Sequence, residues 1–505
     1  MALAPYFDRA ALAAAQVISG FDEQAFRQAL EQTTVGLSLD ERACNAREGH
    51  ALADLAVRLL ARLYPRLQIV SPDTGLEQQL TRLATTINPR VELVRSGAEI
   101  GIAVGENAER FPTTVFAGSE GWVARVGTAN PHAVGSSPNP FGPGAAACLA
   151  SANVFRFLFL GKTPDLLDED AALCTWNGDR PPGDTAPSPL PDQLDSGEET
   201  VLVGLGAIGH GTLWALARSP IQAVLHLVDH QSIEHSNLQR YVLAERSDED
   251  QKTLVAERAL EGSGLQPIVH PQPWAEFVDM HGHGWPAVAV AVDSARDRRA
   301  VQAGLPKWIA NAWTQPGDLG VSLHSRFGDN GACVSCLYMP IGPAPNEDEL
   351  VAEALGIPER QQQVRDLLFH GTQVPADLLE AVASALHVSS DSVEPFAGRT
   401  IRELYVEGLC GGAVVGLERI DATRQEVHVP LAHQSALAGV LLAAGLARHW
   451  TGIEDETTRV TRINVLRPLG ISLSLAAQKT NDERCLCHDQ DYVARYDRKW
   501  PIRGS

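Results

Sequence analysis

Apolar residues along this chain gather in short runs that end in polar or glycine-rich turns. Val201-Leu202-Val203 runs into Gly204-Leu205-Gly206-Ala207-Ile208-Gly209, which predicts a buried strand, a glycine turn and a helix. Gly204 allows the tight turn, Gly206 a close backbone approach and Gly209 close packing of helix on strand. Val224–Val228 predicts a second strand with Asp229 at its end. Val288–Val292 is a continuous apolar run, as a central parallel strand requires, and it ends at Asp293. Further strands are expected at Trp308–Trp313, Leu319–Phe327, Arg459–Val465 and Ile471–Leu475, and a closing helix over Val429–Trp450. Strands alternating with helices in this way predict an α/β, Rossmann-like fold.

The earlier part of the chain repeats the pattern. Gly49-His50-Ala51-Leu52 through Val70 runs from helix to strand, as Gly209-His210-Gly211-Thr212 through Val228 does. Pro-containing turns follow in both, at Ile87–Val91 and Leu265–Val269. The small-residue helix Gly144–Gly161 resembles His433–Gly452. Residues 1–164 therefore read as a diverged copy of the second half, two pseudo-symmetric halves in one chain; the alternative is an unrelated α/β domain. The copy lacks the glycine turn. Leu39–Glu48 stands there instead, with the carboxylates of Asp40, Glu41 and Glu48, which would repel a phosphate. Residues 165–200, rich in Asp and Pro, predict an exposed linker. Residues 201–344 and 411–505 form the second domain, and 345–410 an acidic helical insertion.

Composition narrows the class. At 505 residues, the chain has room for two or three domains. A net charge of −21 argues against nucleic acid or a membrane surface as partner. Met1–Gln16 carries no signal-peptide pattern and no apolar run is long enough to span a bilayer. Of the 8 cysteines, Cys333 and Cys336 make one close pair and Cys485 and Cys487, with His488 beside them, another. Such pairs suggest a metal site in a reducing, cytoplasmic setting rather than disulfides.

Ser236-Asn237-Leu238-Gln239-Arg240 sharpens the chemistry, because an arginine forks onto phosphate oxygens and a dehydrogenase has no need of one there. At these residues the chain resembles the ThiF/MoeB-type adenylyltransferases, which include ubiquitin-activating enzymes and sulfur-carrier activators. The resemblance runs from Val201 to Cys336 and recurs near the C-terminus. It implies an ATP site in which Gly204, Gly206, Gly209 and Asp229 hold the nucleotide. Asn237, Arg240, Lys252 and a Mg²⁺ ion on Asp293 would neutralise pyrophosphate. Arg9, in Tyr6-Phe7-Asp8-Arg9, matches a family arginine that reaches the neighbouring half's ATP site. Cys333, Cys336 and Cys485, with Cys487 or His488, would hold a structural zinc. Cys410, between the first pair and the last helix, would take the activated carrier as a thioester. Each residue also has a plainer reading: Arg9 and Lys252 as surface charges, Asp293 as a helix cap, Cys410 as a small buried cysteine, the clustered cysteines as buried thiols.

The expected function is ATP-dependent adenylation of the C-terminal carboxylate of a ubiquitin-like carrier ending in glycine, then transfer through Cys410 to a conjugating enzyme. The fused inactive half favours the ubiquitin-activating style, in a compact, bacterial-type version. It makes a pseudo-dimer within one chain and leaves homodimerisation open. Alternatives are a sulfur-carrier or peptide adenylyltransferase without a thioester, a dinucleotide-dependent oxidoreductase, and a non-catalytic scaffold. His226, His230, His281, His283 and His433 show no ligand spacing and are expected at the surface or in a cleft.

Overall fold

The computed structural model describes residues 7–181, 188–246, 248, 250–339, 346–386, 388–405, 429–453, 458–470 and 473–501. The first half opens with α1 (Phe7–Ala15) and α2 (Glu23–Gln32), then β1 (Val35–Leu39), α3 (Glu41–Asn45), α4 (Arg47–Leu63), β2 (Arg66–Val70) and α5 (Thr74–Ile87). It continues through β3 (Glu92–Leu93), β4 (Ile100–Val104), β5 (Thr113–Glu120), β6 (Val123–Gly127), α6 (Phe141–Phe159) and β7 (Asp170–Cys174). Its seven strands lie in the order β3-β2-β1-β4-β5-β6-β7. β3 to β5 are parallel; β6 and β7 turn back antiparallel.

The second half runs β8 (Leu194–Asp195), β9 (Thr200–Val203), α7 (Ala207–Ala217), β10 (Ile221–Val228), α8 (Lys252–Ala259) and β11 (Leu265–His270). α9 (Trp274–His281), β12 (Ala287–Val290), α10 (Ala295–Ala303), β13 (Trp308–Gln315) and β14 (Asp318–His324) follow. Residues 340–428 form a separate compact unit. Its helices α11 (Glu347–Ala354), α12 (Gln361–His370), α13 (Ala376–Ala385), α14 (Ser390–Val393) and α15 (Ile401–Glu403) enclose a core of their own that includes Val351, Leu355, Val364, Leu378, Val382 and Ile401. The second half then closes with α16 (Ala432–Trp450), β15 (Arg459–Asn464), β16 (Ser474–Ala476) and α17 (Gln490–Lys499). The sheet order is β11-β10-β9-β12-β13-β14-β15-β16, with β8 beside β10.

Seven strands of each sheet thus share one order, and parallel gives way to antiparallel at the same place in both. This is the Rossmann-like adenylation fold, twice in one chain. Small residues hold the centre together: α16 packs on α7 and on α6, and α6 on α4. A Cβ on Gly439 would stand 2.3 Å from the carbonyl oxygen of Ile208, so only glycine lets the α7 and α16 backbones meet.

Two sequence boundaries are corrected. Asp170–Cys174, inside the expected linker, is the outer strand of the first sheet, paired antiparallel with β6. Its buried Ala171, Leu173 and Cys174 are too few to stand out from the Asp- and Pro-rich context. The main unit resumes at Val429, whereas the sequence reading has it resume at residue 411; residues 411–428 lie outside the described residues. Cys410 lies outside the described residues.

Candidate functional site

The glycine turn does what its residues require. Gly204 has φ +94°, and a Cβ there would meet the Ala291 carbonyl at 2.8 Å. A Cβ on Gly209 would strike the Gly204 oxygen at 2.5 Å, so helix and turn are in backbone contact. Gly206 faces open space, with only the Tyr241 hydroxyl, 3.5 Å from the position of a Cβ. Gly206 is the N-cap of α7 and no side chain caps the helix, so its first N–H groups are free for an anion.

Asp229 braces this turn from the end of β10. One carboxylate oxygen accepts from the Leu205 N–H at 2.7 Å, the other from the Gln231 N–H at 2.9 Å. Lys252 opens α8 as expected, but it is buried rather than a surface charge. Its Nζ donates to Gln231 at 2.6 Å and lies 4.0 Å from the Asp229 carboxylate.

Asn237 serves the turn before Arg240. Its side-chain oxygen accepts from the Glu234 N–H at 3.1 Å, and its carbonyl from the Arg240 N–H at 3.0 Å. That leaves its amide N–H groups as what it can offer a ligand. Arg240 is driven below the ordinary arginine value by burial and by the charge of Arg9, while Tyr241, Glu234 and Asp293 pull the other way. Nη1 of Arg240 and Nε of Arg9 are both buried without a partner. α1, which carries Arg9, packs against the Asn237 turn, so the first half delivers a second guanidinium to the second half's site. A buried donor without a partner costs about 1–3 kcal/mol. Two cationic ones whose charges act on each other fit a polyanion that both would contact.

Asp293 is exposed at the end of the β12 run, and no hydrogen bond or ion pair occupies its carboxylate among the described residues. It does not cap the next helix: Ser294 does, its Oγ accepting from the Asp297 N–H at 2.9 Å. Arg298 is buried and binds Asn311 and the carbonyls of Ala312 and Val292, which fixes the strand end that carries Asp293.

Away from this site the two cysteine pairs converge. All four sulfurs of Cys333, Cys336, Cys485 and Cys487 lie within 4.8 Å of one another, with Cys336 and Cys487 at 3.4 Å and Cys333 and Cys485 at 3.6 Å. Four sulfurs in a tetrahedron around an ion at 2.3 Å would sit about 3.8 Å apart. His488 is turned away, its Nε2 hydrogen-bonded to the Thr480 carbonyl at 2.6 Å. The fourth member of the group is therefore Cys487, and the set can hold a metal ion.

The matching place in the first half is closed. α3 lies across the start of α4, so that a Cβ on Gly49 would meet the Ala43 oxygen at 2.1 Å. Asp40 takes the Ala43 N–H at 2.7 Å and the Asn107 N–H at 3.1 Å. Glu48 is buried and accepts from both Ser119 and Ser137 hydroxyls at 2.6 Å.

Sequence reasoning passed over the residues that join the halves. Arg62 of α4 donates to the carbonyls of Tyr241 at 2.6 Å and Ala244 at 2.9 Å, and Arg58 to that of Val242 at 2.9 Å. Asp54 holds Trp214 at 2.7 Å and Arg218 at 2.9 Å. Their i, i+4 spacing on α4 is visible in the sequence, but their partners lie too far along the chain to be read from it. His226 and His433 are buried, not at the surface.

A sequence model of the ThiF family matches residues 192–301. One described as prokaryotic E2 family C matches residues 38–160, the stretch that folds here as most of the first sheet. The protein described as "Uncharacterized protein y4jF", from Sinorhizobium fredii (strain NBRC 101917 / NGR234), is 45% identical over 512 residues, covering 99% of this chain and 98% of its own length. Among solved structures, E. coli MccB with MccA-N7isoASN aligns at TM-score 0.34 and 14% identity over 57% of this chain and 66% of MccB. MccB alone aligns at 0.35 and 14% over 57% and 64%, so this chain spans less than two thirds of MccB's length in either case. No described helix is long and apolar enough to cross a membrane. The chain belongs to one family with y4jF, and its residues 192–301 are a ThiF-family domain of the adenylyltransferase type, joined to an additional N-terminal part.

Proposed function

We propose that the second half binds ATP with Mg²⁺ and adenylates the C-terminal carboxylate of a ubiquitin-like carrier ending in glycine. The observation that carries this reading is the pair of partnerless buried donors, Arg240 Nη1 and Arg9 Nε, whose charges act on each other, in a domain whose α7 starts uncapped. A carboxylate oxygen attacks the α-phosphorus, the bond from that phosphorus to the bridging oxygen breaks, and pyrophosphate leaves with the electron pair. The protein's part is to position the two anions and to offset the leaving group's charge. Arg240, Arg9 and Lys252 do the second. Asp293, with its unengaged carboxylate, is the residue that would hold Mg²⁺, which when bound neutralises phosphate charge. Zinc suits the four thiolates; with no position left open it is structural.

The match of residues 38–160 to a family named for prokaryotic E2 proteins supports a ubiquitin-like setting, with thioester formation on Cys410 and transfer to a conjugating enzyme in a reducing cytoplasm. A second reading uses the adenylate directly, as in sulfur-carrier or peptide activation. The described cysteines offer no other thioester nucleophile: Cys44, Cys148 and Cys174 are buried, burial raises the Cys148 and Cys174 thiols, and the other four face one another, so the choice between the two routes turns on Cys410. The ThiF match of residues 192–301 supports adenylation over the oxidoreductase alternative.

The test is ATP–pyrophosphate exchange with Mg²⁺ and a glycine-terminated ubiquitin-like protein. Carrier-dependent exchange that disappears in Asp293→Ala is expected. Absence of exchange with every such carrier, while the protein still binds ATP, would overturn the carrier assignment. A thiol-sensitive carrier adduct lost in Cys410→Ser supports the thioester route, and its absence the direct one.

A further inference from the structure

Tyr241 follows Arg240 in the chain and is buried at 3% exposure. Its ring lies between three groups of the nucleotide half. The His210 ring is 4.6 Å from it, centroid to centroid; the Arg240 guanidinium and the Lys252 ammonium each lie 5.5 Å from its centre. Its hydroxyl stands 3.5 Å from where a Cβ on Gly206 would be, which is the open side of the turn. That hydroxyl is not one of the buried polar atoms left without a partner, and no hydrogen bond engages it among the described residues, so it is open to a ligand on the Gly206 side. The residue is held by its backbone. Arg62 of the first half donates to its carbonyl at 2.6 Å, and its own N–H donates to the Asn237 carbonyl at 3.1 Å. His210 beneath it is kept neutral: burial first, then Arg62, Lys252 and Arg58, push its pKa down to about 3, so it adds no charge of its own.

We propose that Tyr241 is a substrate-contacting residue whose hydroxyl donates to an ATP phosphate oxygen at Gly206, and whose ring is a shared platform for Arg240 and Lys252. The inference rests on the nucleotide site proposed above and assigns it a residue. A phenol is a donor to phosphate that keeps its proton at neutral pH. An aromatic face also attracts two cations that would otherwise repel each other. The first half, through Arg62, sets the height of the platform.

The test is calorimetric binding of MgATP and of adenosine, which lacks phosphates, to the full chain. Tyr241→Phe keeps the ring and is expected to weaken MgATP about tenfold with adenosine unchanged. Tyr241→Leu, which loses the platform as well, is expected to weaken MgATP further. Arg62→Ala should weaken MgATP, with Arg62→Lys restoring part of the loss. Equal MgATP affinity in wild type and Tyr241→Phe overturns the proposal while the nucleotide site stands. Equal losses for MgATP and adenosine overturn it too, since they mark a structural role. A wild-type chain that binds no MgATP contradicts the nucleotide site itself.

Discussion

The two halves share a strand order and differ where it counts, at the turn after the matching strands β1 and β9. In the second half β9 runs through Gly204 and Gly206 into an uncapped helix that carries Gly209, and Asp229 holds the turn open. In the first half β1 runs into the extra helix α3, and Asp40 and Glu48 occupy the backbone N–H and hydroxyl groups nearby. One helix start can face a phosphate and the other cannot. The first half contributes to the second, however. It supplies Arg9 beside Arg240 and, through Arg58 and Arg62, grips residues 241–244 of its neighbour. The two halves share an order of strands and a contact surface, but only the second has an open helix start.

The largest effect should come from the live turn. Arg240→Ala is expected to lower pyrophosphate exchange on the order of 10²- to 10³-fold. Arg9→Ala, in the other half, should lower kcat/KM for ATP by about 10- to 100-fold without lowering Tm. Loss of activity in both variants sharpens the view that one site draws on two halves; an unaffected Arg9→Ala would confine the site to the second half.

Stability changes come next. Cys336→Ser, or prolonged chelation, should lower Tm by roughly 5 °C or more while leaving the ATP affinity of the protein that stays folded unchanged. Acid should act through buried histidines. Burial pushes His270 and His324 down to about 4 and His210 and His433 to about 3, from 6.5. Unfolded histidines take up protons below 6.5 that the folded ones refuse. Stability is therefore full above that pH and falls between about pH 6.5 and 3. Thermal melts across that range check it, and a flat profile contradicts it. The smallest effect should be Asp40→Ala in the first half. Losing this cap of α3 costs on the order of 1 kcal/mol and leaves ATP affinity alone.

Much of this was legible in the chain because the signals are local. The glycine spacing at Gly204, Gly206 and Gly209, the strand-end acids Asp229 and Asp293, and the two cysteine pairs each declare themselves within a few residues. The duplication was legible as a repeated order of helix, strand and proline turn, without sequence identity. What stayed hidden depends on partners far along the chain. Nothing near Lys252 tells that it is buried against Asp229, and nothing near Arg62 tells that it grips the Tyr241 carbonyl. The choice between Cys487 and His488 needed the Thr480 carbonyl to claim the histidine. β7 was missed because five residues on a sheet edge carry too little apolar surface to outweigh their neighbours.

The central claim is one live nucleotide site in a chain with two copies of the fold, and the stoichiometry of MgATP binding measured by calorimetry tests it most directly. The account predicts one site per chain, lost in Arg240→Ala and kept in Asp40→Ala. Two sites per chain, or binding that survives Arg240→Ala and is lost in Asp40→Ala, would contradict it.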